Sequence, residues 1–144
     1  MSIERSTYFV LAFIATSVLA PVASAQQGAA KVTVTLNKVM SDSGTIRAAL
    51  CDDPASFGQT NCAAHETSAP AKTGTMELTF TGVKPGTYAL GIFHDEDNDG
   101  KLNVFSEPFA FGNGATDLPP TFDGAKLNIT GDLKTETALF KMVQ

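Results

Sequence analysis

Asp95, Glu96, Asp97 and Asp99 place four acids within five residues, directly after the apolar run that ends at His94. Like charges at alternate positions repel one another unless a cation lies between them. Asp95, Asp97, Asp99 and Gly100 stand at the first, third, fifth and sixth positions of the pattern that opens an EF-hand-type calcium loop. There, alternate oxygens converge on one hard cation and the glycine makes the sharp turn. The expected donors are the side chains of Asp95, Asp97 and Asp99, the backbone carbonyl of Lys101, and Asn103 directly or through water. The twelfth position, where such a loop carries a bidentate glutamate, holds Ser106, and Glu107 lies one residue on. A strand rather than a helix feeds this loop, so Glu107 can still swing in to close it. An incomplete set of this kind predicts weak calcium binding, roughly 10⁻⁴ to 10⁻³ M. The competing reading is a solvated hairpin tip, because Asn98-Asp99-Gly100 also suits a tight turn that needs no metal.

Other chemistry is thinner. His94 beside Asp95, the separate His65, and the hydroxyls of Ser56 and Ser106 are the remaining candidates for a base or a nucleophile. Their spacing matches neither a Gly-x-Ser-x-Gly elbow nor a His-Glu-x-x-His pair. A histidine at a strand end is expected to make structural hydrogen bonds, and His65 is expected to be exposed. Cys51 and Cys62 are the only cysteines. In an oxidising compartment they read as one disulfide closing a short loop, worth about 3 kcal/mol in the chain-entropy model. The alternative, a redox or metal pair, has neither the Cys-x-x-Cys nor a zinc spacing.

The elements that position these residues read as strands. Val32, Val34 and Leu36 alternate with polar residues, as do Ile46, Ala48 and Leu50 after a Ser41–Gly44 turn, and Met76, Leu78 and Phe80. Thr87 to His94 is apolar on both faces, which predicts a central strand that delivers the acidic loop from its end. Leu127 with Ile129, and Ala138 with Phe140 and Met142, mark two more, and a seventh is expected near Leu102–Phe105. The expected fold is all-β, an antiparallel two-sheet β-sandwich of immunoglobulin-like or transthyretin-like type with about seven strands. A closed barrel is the alternative. Ser106–Phe122 reads as one long ordered loop anchored by Phe109, Phe111 and Phe122.

The first residues read as an address. An apolar stretch from Tyr8 to Ala20 followed by Ala23-Ser24-Ala25 has the form of a signal peptide over residues 1–25, cleaved before Gln26. That leaves residues 26–144 as a single domain in the periplasm or outside the cell, with no later segment fit to span a bilayer. The net charge of −5 and singly scattered basic residues argue against a nucleic-acid partner and against an anionic membrane surface.

Pro85-Gly86-Thr87-Tyr88-Ala89, Phe93-His94-Asp95-Glu96, Asn98-Asp99-Gly100-Lys101-Leu102, Glu107-Pro108-Phe109-Ala110-Phe111-Gly112-Asn113 and Pro119-Pro120-Thr121-Phe122 follow one another in an order that resembles a bacterial group. These are the small exported proteins of the domain of unknown function 2141 family, and the likeness runs from about Val32 to the C-terminus. It implies an exported β-rich domain and no particular activity. The family's loop commonly has Asn at the third and fifth positions and Asp at the ninth. Here Asp97, Asp99 and Asn103 permute those types and keep the oxygen count. The function expected is that of a non-enzymatic exported sandwich. Its calcium loop would stiffen one end and present the Phe109–Phe111 loop to a protein, glycan or envelope partner. The alternative is a small-ligand carrier or small hydrolase working at the His94/Asp95 end.

Overall fold

Val32, Val34 and Leu36, each fully buried, lie along β1 (Ala30–Val39), the middle strand of a three-stranded sheet. The computed structural model describes residues 28–59 and 62–142. The signal segment expected over residues 1–25 lies outside them. β2 (Thr45–Cys51), β3 (His65–Pro70), β4 (Gly74–Val83), β5 (Gly86–Asp95), β6 (Phe109–Phe111), a four-residue helix α1 (Phe122–Ala125), β7 (Lys126–Ile129) and β8 (Leu133–Ala138) complete the order. The sheets run β4-β1-β8 and β3-β2-β5-β6, with β7 also pairing with β5. All pairs are antiparallel except β1 with β8, which is parallel. The two-sheet sandwich expected from alternation is thus present, with eight strands among the described residues. No helix among the described residues is long and apolar enough to cross a membrane.

The main core lies between the sheets and joins Val34, Leu36, Ile46, Leu78, Phe80 and Leu90. Burying a side chain of this size contributes roughly 1.5–3 kcal/mol. β5 is buried on both faces, as its sequence requires of a central strand. Its second face carries a smaller cluster, where Phe109, Phe111 and Ala89 meet Phe57, Phe93, Phe122 and Phe140.

Several expectations are corrected. Leu102–Phe105 forms no strand, because the backbone there turns around Asn103, whose carbonyl accepts from the amides of Ser106 and Glu107. The long loop expected over Ser106–Phe122 contains β6, which pairs with β5 from Phe93↔Phe109 to Gly91↔Phe111. Phe109 and Phe111 are therefore core residues, 0% and 8% exposed, and are not presented to a partner. The last strand lies upstream of its expected place. Leu133, Thr135 and Thr137 face inward there, and Thr137 donates its hydroxyl to the Phe111 carbonyl at 2.7 Å. Phe140 makes only a single bridge, to Phe109, and Met142 is exposed. His65 belongs to β3, half-buried with its ring edge-on to Tyr88 at 5.8 Å, where the sequence suggested an exposed loop.

Cys51 and Cys62 are joined, their Cα atoms 5.1 Å apart, as their isolation in the sequence predicts. The loop they close carries Phe57, whose ring lies against Phe111 and Phe122 at 6.1 and 6.2 Å. The disulfide therefore helps hold a lid of the second cluster in place.

Candidate metal centre

β5 ends at Asp95, and the alternation of side chains across a strand sends His94 and Asp95 to opposite faces. His94 is fully buried on the main-core side, with Nε2 2.6 Å from the Ser43 carbonyl. A carbonyl only accepts, so Nε2 donates this hydrogen bond. Nδ1 has no hydrogen-bond partner among the described residues, and Glu96 Oε1 is 3.9 Å away. His94 thus has the structural hydrogen bond expected of it and does not share a face with Asp95.

The Asp95 carboxylate is also fully buried, yet amply partnered. Arg47 of β2 places Nε 2.5 Å from Oδ2, the Gly100 amide donates to Oδ2 at 3.0 Å, and the Asp99 amide donates to Oδ1 at 3.1 Å. Burial pushes this carboxyl up, and the Arg47 bond with the two amides outweighs it, so it is held below the usual carboxylate range. Asp97 Oδ1 accepts from the Asp99 amide at 3.1 Å and Asp99 Oδ1 from the Lys101 amide at 2.7 Å. Each acid thus pins the turn that follows it, which brings the three side chains to one place. One carboxylate oxygen from each of Asp95, Asp97 and Asp99 lies within 4.8 Å of the others. Oxygens bound to a common calcium ion at about 2.3–2.6 Å stand at most about 5 Å apart, so the cluster has the right span. Asp97 and Asp99 are exposed, and Arg47 offsets only one of the local negative charges.

The other expected donors behave differently. Glu107 does swing toward the loop and is 4% exposed. Its Oε1 accepts from the Glu96 amide at 3.0 Å and its Oε2 from the Asn103 amide at 2.8 Å, so it braces the backbone at both ends of the acidic turn. It is not among the clustered acids. Asn103 spends Oδ1 on the Phe105 amide at 3.1 Å. The two-residue hairpin tip is not what forms, since β5 meets its partner only at Phe109 and the acidic turn opens a longer excursion. Gly100 takes φ +79°, a left-handed conformation that a side chain would resist.

The β1–β2 turn supports this loop from below. Thr45 Oγ1 donates to Asn98 Oδ1 at 2.7 Å, and Ser41 Oγ reaches Glu96 Oε1 at 3.3 Å. Gly44, at φ +73°, lies so close to the chain at Asp95 and Glu96 that a Cβ would collide with the Asp95 carbonyl. The Ser41–Gly44 turn is legible in the sequence, but its contact with the acidic loop and the role of Arg47 are not, because both depend on how distant parts of the chain pair. The signal available was an arginine set between Ile46 and Ala48. Two grooves open elsewhere on the surface, one lined by Asn113 with β7 and β8, the other by Asp52, Asp53 and Cys62. Neither includes His94 or Asp95, and Ser56 lines the second with no histidine beside it.

A profile of the family described as "Uncharacterized protein conserved in bacteria (DUF2141)" matches residues 34–137, from the middle of β1 almost to the end of β8. No curated protein and no solved structure shows a match.

Proposed function

The chain belongs to this bacterial family, and from that membership we propose that it is an exported β-sandwich module, periplasmic or secreted, whose acidic loop holds a structural calcium ion. The observation that carries this reading is the convergence of Asp95, Asp97 and Asp99 around a turn made by Gly100. Lys101 through its carbonyl and Asn103 through water or its side chain complete the proposed shell, with Glu107 ordering the loop. Bound calcium would supply the positive charge that lets three carboxylates share one site. The module is non-enzymatic in this reading, because His94 and Asp95 diverge across the sheet. Its partner is a protein, glycan or other envelope component, met at the stiffened end of the sandwich. There Leu102 and Phe105 are exposed, rather than the buried Phe109 and Phe111.

Calcium titration of the metal-stripped protein by calorimetry, with melting followed in parallel, tests the proposal. Saturable binding in the range of roughly 10⁻⁴ to 10⁻³ M that raises the melting temperature, and vanishes in Asp97→Ala/Asp99→Ala, is the expected result. Absence of both heat and shift well above that range overturns it.

A further inference from the structure

Phe57 lies outside every strand, on the loop that the Cys51–Cys62 bond closes, yet it is half-buried. Local bonds aim its ring. Asp53 accepts from the Ala55 amide at 3.1 Å on its carboxylate and from the Phe57 amide at 3.2 Å on its carbonyl, a tight turn that hands the ring to the sheet. The ring rests on the second face of β5, where Ala89 and Gly91 leave room for it. A Cβ on Gly91 would stand 4.0 Å from the ring, so the glycine lies beneath it. A glycine inside a strand often marks the close approach of another group. Phe111 of β6 and Phe122 of α1 form the walls, both edge-on, at 6.1 and 6.2 Å.

Floor and walls thus come from three elements of the fold, whereas the ring between them is carried in on a tethered loop. The present occupant shows what the seat accepts, a benzene ring held edge-to-face by two others. The tether can be cut. Cys62 lines a surface groove of about 200 Å³ together with Asp53 and Ser56, so a dithiol reductant can reach it. One thiolate of the dithiol attacks Cys62 Sγ, and Cys51 leaves as a thiolate and takes up a proton. The second thiol then displaces Cys62, which is protonated in turn, and the reductant departs as a disulfide with the two electrons supplied. A loop released in this way has more open conformations to visit, so the ring spends less time in its seat.

We infer that the seat beneath Phe57 is a binding site for an aromatic side chain of a partner polypeptide, filled in cis by Phe57 and gated by the Cys51–Cys62 bond. The inference is independent of the acidic loop and of calcium. N-acetyl-phenylalanine amide is the probe, titrated into the isotope-labelled protein and followed through backbone amide shifts. The dithiol-reduced wild type should bind it about tenfold or more tightly than the oxidised protein, in the millimolar range open to so small a ligand, with shifts centred on Gly91, Phe111 and Phe122. Cys51→Ser/Cys62→Ser should repeat that result without reductant. Phe57→Ala with the bond intact should bind at least as well, and Phe122→Ala in the reduced protein more weakly. N-acetyl-leucine amide should bind less than the aromatic probe throughout, and dispersed spectra should report a folded sandwich in each sample. Equal affinity in the oxidised and reduced wild type, shifts centred elsewhere, or no preference for the aromatic probe would each overturn the inference. So would binding by Phe57→Ala alone, which would mark a cavity made by the substitution.

Discussion

Arg47 Nε meets Asp95 Oδ2 at 2.5 Å on a diagonal between β2 and β5, and the partners differ sharply in exposure, 39% for the arginine side chain and 0% for the carboxylate. The pair closes the base of the acidic loop, since the same carboxylate also receives the Asp99 and Gly100 amides.

Arg47→Ala should therefore cost about 1–3 kcal/mol, less than for a fully buried pair because the arginine is partly in water. Its pH dependence is the sharper readout. The folded Asp95 carboxyl titrates below its usual value, so its contribution is complete above an unfolded pKa of about 3.9 and fades as pH falls through the lower folded value. Without Arg47 the opposing effect of burial gains weight and the folded value rises. Urea midpoints followed from neutral pH into the acid range should show the variant losing stability at higher pH than the wild type.

Gly44 and Gly82 form a matched pair for testing how tightly the β1–β2 turn supports the loop. Their φ angles are +73° and +72°, but a Cβ on Gly82 meets open space while one on Gly44 strikes the Asp95 carbonyl. Gly82→Ala should cost about 1–2 kcal/mol, the strain of a left-handed residue. Gly44→Ala should cost about 1–3 kcal/mol more through overpacking. It should also weaken calcium binding, which Gly82→Ala should leave alone.

The contrast between what was legible in the sequence and what was not follows from how local each signal is. β1, β2 and β4 alternate because one face of each strand is buried against the other sheet, and β5 is apolar on both faces because both are covered. The acidic loop is equally legible because its candidate donors are contiguous. β3 has no apolar alternation to read, since His65–Pro70 is a half-buried edge strand. β6 is too short to alternate, and threonines at the inward positions of β8 hide its period behind polar residues. Arg47 reaches Asp95 from a strand far back in the chain, a relation that only the β2–β5 register reveals. The spacing of Glu107 lets it reach the loop, yet spacing does not say that its oxygens go to two backbone amides.

Replacing both cysteines, Cys51→Ser/Cys62→Ser, should lower stability by about 3 kcal/mol, the chain entropy returned to a loop of this length. The sequence separation is 11 residues. The loss should be uneven. Phe57 rides on this loop and lids the second cluster, so limited proteolysis should cut within Pro54–Gln59 before the sandwich unfolds. Wild-type protein treated with a dithiol reductant should behave in the same way.

Glu107→Gln separates a brace from a ligand. The two glutamate oxygens accept from the Glu96 and Asn103 amides, 3.0 and 2.8 Å away. A glutamine keeps one acceptor and turns an NH2 group against the other amide, leaving a buried donor unsatisfied at a cost of about 1–3 kcal/mol. That loss should be present in full in calcium-free buffer, measured by urea unfolding of the stripped protein. If Glu107 served only as a ligand, the stripped variant would unfold at the wild-type midpoint and the difference would emerge on adding calcium. A brace also predicts how affinity changes. Asp95, Asp97 and Asp99 remain, so Glu107→Gln should still bind calcium, more weakly, because binding must then first order a loop that the glutamate had already held in place.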